Sequence, residues 1–439
     1  MKSEDEVSQF LNNQKALIVE PSMAFFSVIQ SCLTGFGMSN ENIYSANSYK
    51  DAAKILNDLK PKIIITEYTI GKHFGLALIE KHGEIYDSTS RISIMVTKES
   101  SDNAVAEAAE EQLDAYIVKP FSMMDLKNRV LEVVKRKMHP TPYYEKIREG
   151  KALLKIGNMP EAVSIFSEAK QLNTKPTLAH YYLGDYYLQS NEIKKALLEF
   201  EQGRKFNNLH YKCLTGEFDC QMLEKNYQKA YELVKLIRQN YPVTSARLGK
   251  FFIAAVYTES FQDLPQLYEL YLNLDIRPPE LVNLVSIALL TAGKHYLRQK
   301  NNALALEYFE MTTSVTAKSL VWLEKIIDEL LKVNDVTSAE KFLKYSRGGD
   351  TESAKYHVIN FKVGRYILPV SKSLEMGRKL VIEDKAPSEV VRTVVQMAIE
   401  NKKLTLAESM IIKGAEKFPD LRKELYEMLE AVDGSDSED

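Results

Sequence analysis

The stretch "KIIITEYTIG", residues 62–71, decides the fold of the first part of this chain. Ile63, Ile64, Ile65 and Thr66 form a short, unbroken apolar and β-branched run. Such a run marks a strand covered on both faces, as in a parallel sheet between helical layers. The carboxylate of Glu67 then arrives at the strand's C-terminal end, where open α/β sheets place their chemistry.

Four further strand-like runs surround it: "KALIVEP" (15–21), "NIYSAN" (42–47), "RISIMVT" (91–97) and "AYIVKP" (115–120). Helical patterns separate them at 23–36, 49–59, 76–82, 102–112 and 122–137. This alternation predicts an α/β doubly wound, five-stranded parallel sheet of flavodoxin-like size, with right-handed crossovers. No glycine-rich phosphate loop follows any strand, so a dinucleotide site is excluded. The strand ends carry Glu20, Glu67, Thr97 and Lys119.

That set resembles the receiver domain of bacterial response regulators, over about residues 14–137. The resemblance implies magnesium-binding acids at the end of the first strand and a phosphoacceptor at the end of the third. It implies a Thr or Ser ending the fourth strand and a Lys-Pro ending the fifth, here Thr97 and Lys119-Pro120-Phe121. Gly75 stands where the family has a glycine after the phosphorylation loop, and Tyr116 falls on its switch aromatic.

Two positions depart from the pattern. Glu67 replaces the phosphoacceptor aspartate, and Pro21 replaces the second acid of the first strand. Magnesium demands near-octahedral oxygen ligands, so the loss of one acid implies weak or absent binding. The extra methylene of Glu67 displaces its carboxylate by about an ångström, enough to cost roughly a hundredfold in rate. The expectation is a pseudo-receiver that does not turn over phosphate. Three readings of Glu67 stand side by side: a structural ion pair with Lys119, a partial mimic of the phosphorylated state, and a working site. The edge formed by Tyr116 and helix 122–137, with Lys127 and Arg129, is the surface that receivers use for partners or for a homodimer.

Strand signals stop after Phe121, and "MHPTP" (138–142) reads as a linker. Beyond it a 34-residue period sets in. Gly150, Ala162, Phe166 and Ala169 stand at offsets 0, 12, 16 and 19, and Gly184, Ala196, Phe200 and Gly203 repeat them. Phe218, Ala230, Val234 and Ile237 follow, closed by Pro242, with a weaker copy at Phe252, Leu264 and Tyr268. A seven-residue insertion around "DIRPPE" shifts the frame. It resumes at Gly293, Ala305 and Phe309, then at Ile327, Ala339 and Leu343. Phe361, Ser373 and Gly377 make the poorest copy, and Val395, Ala407, Ile411 and Gly414 make the last.

This pattern resembles the tetratricopeptide repeat (TPR) over about residues 143–421, in about eight units. The resemblance implies an all-α superhelical solenoid that binds extended or helical protein segments along a groove lined by first helices. By family position, Tyr144, Lys151, Tyr181, Asp185, Asp219, Lys294 and Arg298 should face that groove. The expected organisation is an N-terminal extension (1–13), receiver-like domain (14–137), linker (138–142), repeats (143–421), capping helix (422–432) and acidic tail (433–439).

Composition sets the outer limits. A net charge of -3 over 439 residues gives no basic footprint for nucleic acid. The N-terminus lacks the apolar core of a signal peptide, and no apolar run approaches a membrane span of roughly 20 residues. Three cysteines without a disulfide framework suit a reducing cytosol. Together these features predict a bacterial, cytoplasmic signalling scaffold, not an enzyme, with protein partners in the groove and no cofactor. The rival readings are a phosphorylation-competent response regulator and a TPR-type transcriptional regulator.

Overall fold

The structure, a computed structural model, describes residues 2–71, 73–86, 90–97, 113–241, 243, 245–274, 276–346 and 351–433. Pro242, the 102–112 segment expected to be helical, and residues 434–439 of the acidic tail lie outside the described residues. The chain divides into two compact units, Met1–Ser260 with Leu270–Leu274, and Phe261–Glu269 with Asp275–Asp439.

The first unit opens with the α/β domain. Strands β1 (Ala16–Val19), β2 (Ile43–Ala46), β3 (Ile63–Glu67), β6 (Ile92–Thr97) and β7 (Ala115–Val118) form one parallel sheet in the order β2-β1-β3-β6-β7. The register sets Val19 beside Thr66, and Glu67 beside Val96, so the ends of the central strands lie level. Ala16, Ile18, Ile63, Ile65, Ile94 and Val96 share one core, and the alternating Leu17, Val19 and Ile64 are buried too. Burial on both faces is why these strands read as continuous apolar runs.

Helices α2 (Met23–Gly35), α3 (Tyr49–Leu59) and α4 (Gly75–Ile85) connect the strands, and helix Met123–Met138 closes the domain. That last helix starts with a capping box of Ser122 and Asp125 and ends in Lys135, Arg136 and Lys137, which suit its dipole. Two elements were not expected. Residues before 14 contain helix α1 (Lys2–Asn12), whose Val7 and Leu11 enter the domain's core beside Val133 and Val134. Val7, Phe10 and Leu11 have the spacing of a helix face, diluted in sequence by acidic neighbours. Strands β4 (Thr69–Ile70) and β5 (His73–Phe74) form a small antiparallel hairpin between β3 and α4.

Every described element after residue 141 is helical. In the first unit the pairs are 142–155/159–169, 177–189/193–206 and 211–223/227–240, followed by helix Ser245–Tyr257. The division between units falls within helix Leu264–Leu272. In the second unit the pairs are 279–298/302–315, 320–332/336–343, 354–367/370–382 and 388–400/404–417, followed by helix Arg422–Asp433. The fold is therefore the expected α/β domain followed by an all-α array of repeated helix pairs.

The 34-residue signature has a direct packing cause. A Cβ at Gly150 would stand 2.5 Å from the Phe166 ring, one at Gly184 2.6 Å from Phe200, and one at Gly293 2.2 Å from Phe309. Each glycine thus makes room for the aromatic ring sixteen residues later, and all three rings are fully buried. The poorest copy reverses the pair: Phe361 stands at the first offset, and a Cβ at Gly377 would lie 2.8 Å from its ring. Volume is conserved across the two positions although the residue types exchange, which is why this copy looks weak in sequence.

Candidate functional site

The candidate site lies at the C-terminal edge of the sheet, where β1, β3, β6 and β7 end side by side. Glu20 follows β1, Glu67 ends β3 and Lys119 follows β7. All three are buried, with 4%, 5% and 6% of their surface exposed. Lys119 Nζ donates to Glu20 Oε2 at 2.6 Å and also to Glu67 Oε2, so one ammonium bridges two carboxylates. The remaining oxygens are taken by the backbone: Ser22 N–H donates to Glu20 Oε1 at 2.9 Å, and Tyr68 N–H donates to Glu67 Oε1 at 2.9 Å. Every carboxylate oxygen in the triad therefore has a donor. Lys119 Nζ also lies 4.6 Å from the centre of the Phe25 ring, a cation–π contact on its flank.

The structure brings Glu20, Glu67 and Lys119 together as the strand-end reading implies. Pro21 is exposed and contributes no carboxylate. Thr97 ends β6, and its side chain lies outside the described residues. Magnesium, which the family resemblance implies, does not fit this donor set. Both acids already hold an ammonium and a backbone amide, and the second acid of the first strand is missing.

The other expected residues are dispersed. Tyr116 is half-buried on β7, Lys127 Nζ lies 5.7 Å from the Phe36 ring, and Arg129 pairs with Glu132 at 2.8 Å on the exposed helix face. Among the groove candidates, Tyr144 and Tyr181 are half-buried against repeat cores. Tyr181 packs on Tyr182 with ring centres 4.9 Å apart, and Lys212 Nζ lies 4.9 Å from its ring. Lys151 Nζ lies 5.7 Å from the Tyr182 ring, and Asp185 accepts from Gln189 at 2.8 Å. Asp219 pairs with Lys250 at 2.6 Å and Arg247 at 3.5 Å. Lys294 pairs with Glu329 at 3.0 Å, and Arg298 is exposed at the end of its helix.

Residues 16–131 match the family model described as the response regulator receiver domain. The N-terminal domain is a receiver domain. Its similarity to the chemotaxis protein CheY homolog of Campylobacter jejuni is 28% identity over 121 residues, covering 27% of this chain and 92% of that protein. Among solved structures, a signal receiver domain of a Luxo repressor protein from Vibrio parahaemolyticus is 18% identical, with 28% of this chain and 92% of that chain covered at a TM-score of 0.25. A tetratricopeptide repeat protein from Parabacteroides merdae is 12% identical, with 58% of this chain and 98% of that chain covered at a TM-score of 0.32.

Two features of the molecule carried no local signal. In the second unit Lys362 is buried and donates to Glu324 at 3.2 Å and Asp328 at 3.0 Å on the first helix of the preceding repeat. In the first unit the receiver domain touches the repeats through Tyr68 and Glu80. Neither group has a sequence motif, because its members come from elements far apart in the chain. Among the described residues no cluster of His, Cys, Asp and Glu could hold a metal ion, and no helix is long and apolar enough to cross a membrane.

Proposed function

We propose that this chain is a signalling adaptor whose receiver domain works without turning over phosphate and whose helical repeats bind protein. The carrying observation is the saturated triad, in which both Glu20 and Glu67 are held by Lys119 and by backbone amides. A phosphoacceptor needs a free carboxylate oxygen in line with the donor, and a metal to neutralise the charge that develops. Glu67 supplies one fixed negative charge to Lys119, where a phosphoryl group would supply about -1.5 to -2. The site is thus a permanent ion pair that keeps the receiver in one state. The repeats supply the output: paired helices expose one face per repeat, and adjacent faces make a surface for a peptide or helix. Three free, buried cysteines suit a reducing cytoplasm.

Incubation of the full chain with a small acyl phosphate and magnesium, followed by intact mass, tests the reading. The expected result is no phosphoryl gain. A stable adduct mapping to Glu67 would instead make the chain a phosphorylation-competent response regulator. Glu67→Asp alone should stay inert while Pro21 remains, and Pro21→Asp with Glu67→Asp is the fair attempt at rescue.

A further inference from the structure

Tyr68 follows Glu67 and faces two partners. Its backbone N–H donates to Glu67 Oε1 at 2.9 Å, and its phenol donates to the Asn240 carbonyl at 3.4 Å in the third helical repeat. Both residues belong to the first compact unit. The turn between them and α4 is tight: the Gly75 amide donates to the Tyr68 carbonyl at 2.6 Å. A Cβ at Gly75 would stand 2.1 Å from the Glu67 carbonyl oxygen. The end of β3 and the start of α4 therefore move together.

Further along α4, the Glu80 carboxylate lies near the Tyr211 hydroxyl and within the field of the Arg247 guanidinium. The Arg247 guanidinium lies 5.7 Å from the Tyr211 ring, and the Tyr211 and Tyr241 rings are 4.7 Å apart. Tyr211 and Tyr241 are both buried. An acid from the receiver domain thus meets a tyrosine and a guanidinium from the repeats against an aromatic floor.

We propose that Tyr68 and the Glu80 side of α4 form a docking face whose partner is the third and fourth repeats of the same chain, and that Tyr68 ties the integrity of the Glu67–Lys119 pair to that dock. The inference goes beyond the adaptor reading and does not depend on whether phosphate is turned over. The pairing of groups selects the partner: Glu80 is a receiver carboxylate at this face, and Arg247 is a repeat cation whose field offsets part of the cost of burying it. The link is short and stiff, since one residue binds the site carboxylate with its backbone and the repeats with its side chain. A change in the Glu67 carboxylate shifts the Tyr68 amide, and with it the phenol on Asn240.

Hydrogen exchange on the full chain, read by mass spectrometry over residues 75–85 and 211–223, tests this. Glu80→Arg should speed exchange in both segments by roughly tenfold, as local opening does when a contact is lost. Arg247→Glu lies in the repeats and also loses its pair with Asp219 there, so its readout is residues 75–85 of the receiver, where exchange should rise likewise. The double variant Glu80→Arg with Arg247→Glu should return both segments to near the parent rate. Glu67→Gln, which alters only the site, should speed exchange over 211–223 if Tyr68 is the link. Unchanged exchange over 211–223 in Glu80→Arg or over 75–85 in Arg247→Glu, or no rescue in the double, overturns the dock. Unchanged exchange there in Glu67→Gln overturns the link.

Discussion

Replacing Lys119 with methionine removes the cation that Glu20 and Glu67 share. Both carboxylates are buried, so water cannot take the ammonium's place. Deleting one partner of a buried ion pair costs about 3–5 kcal/mol, because the remaining charge is left uncompensated. Here two charges are left. The lost contact with Phe25 adds about 1 kcal/mol, and the methionine side chain offsets a similar amount by packing in the same space. The net loss expected at pH 8 is therefore at least about 3–5 kcal/mol. It should be concentrated in the opening of β1 and β3, which makes native-state hydrogen exchange over Ala16–Val19 and Ile63–Glu67 the assay. The triple variant Lys119→Met, Glu20→Gln, Glu67→Gln removes all three charges and should recover to within about 2 kcal/mol of the parent. A loss under about 1 kcal/mol, or no recovery in the triple variant, would refute a buried, ionised triad.

Three shorter predictions follow from the repeats and the dock. Gly184→Ala puts a methyl 2.6 Å from the Phe200 ring and should lower unfolding stability by about 1–3 kcal/mol, whereas Gly157→Ala, with φ at +80° and open space around it, should cost about 1 kcal/mol through backbone strain alone. Tyr181→Ala removes a ring packed on Tyr182 and Phe200, so the melting temperature should fall; an unchanged melting temperature with weakened capture of a peptide would make it a groove anchor instead. Burial pushes the Glu80 carboxyl up to about 7 from 4.5, against the opposing pull of Arg247, Tyr211 and Lys212, with Glu84 adding to the rise. The docked state therefore holds the proton more tightly than the open state, so docking is strongest below pH 4.5, weakens as pH rises toward 7 and is level beyond it. Exchange over 211–223, corrected for its intrinsic pH dependence, should reveal this slope, and Glu80→Gln should flatten it.

What the chain encodes locally could be read from spacing. Apolar runs marked the five strands, and Glu20, Glu67, Thr97 and Lys119 fell at their ends because a strand's last residue follows from its length alone. The 34-residue period was legible because each glycine must lie one helix away from the ring it accommodates, a distance set by helix and turn lengths. Three-dimensional packing decided the rest. Lys119 meets Glu67 across 52 residues and Glu20 across 99, and no spacing rule says that one ammonium will serve both. The backbone amides that complete the triad have no side-chain identity to read. Helix α1 was obscured in sequence by its acidic residues, and the Phe361–Gly377 exchange concealed a well-packed repeat, because only summed volume reveals it. Tyr68 reaches Asn240 across 172 residues. Contacts of that range depend on how two separately encoded domains pack, and their energies are paid out among side chains whose local sequence says nothing of each other.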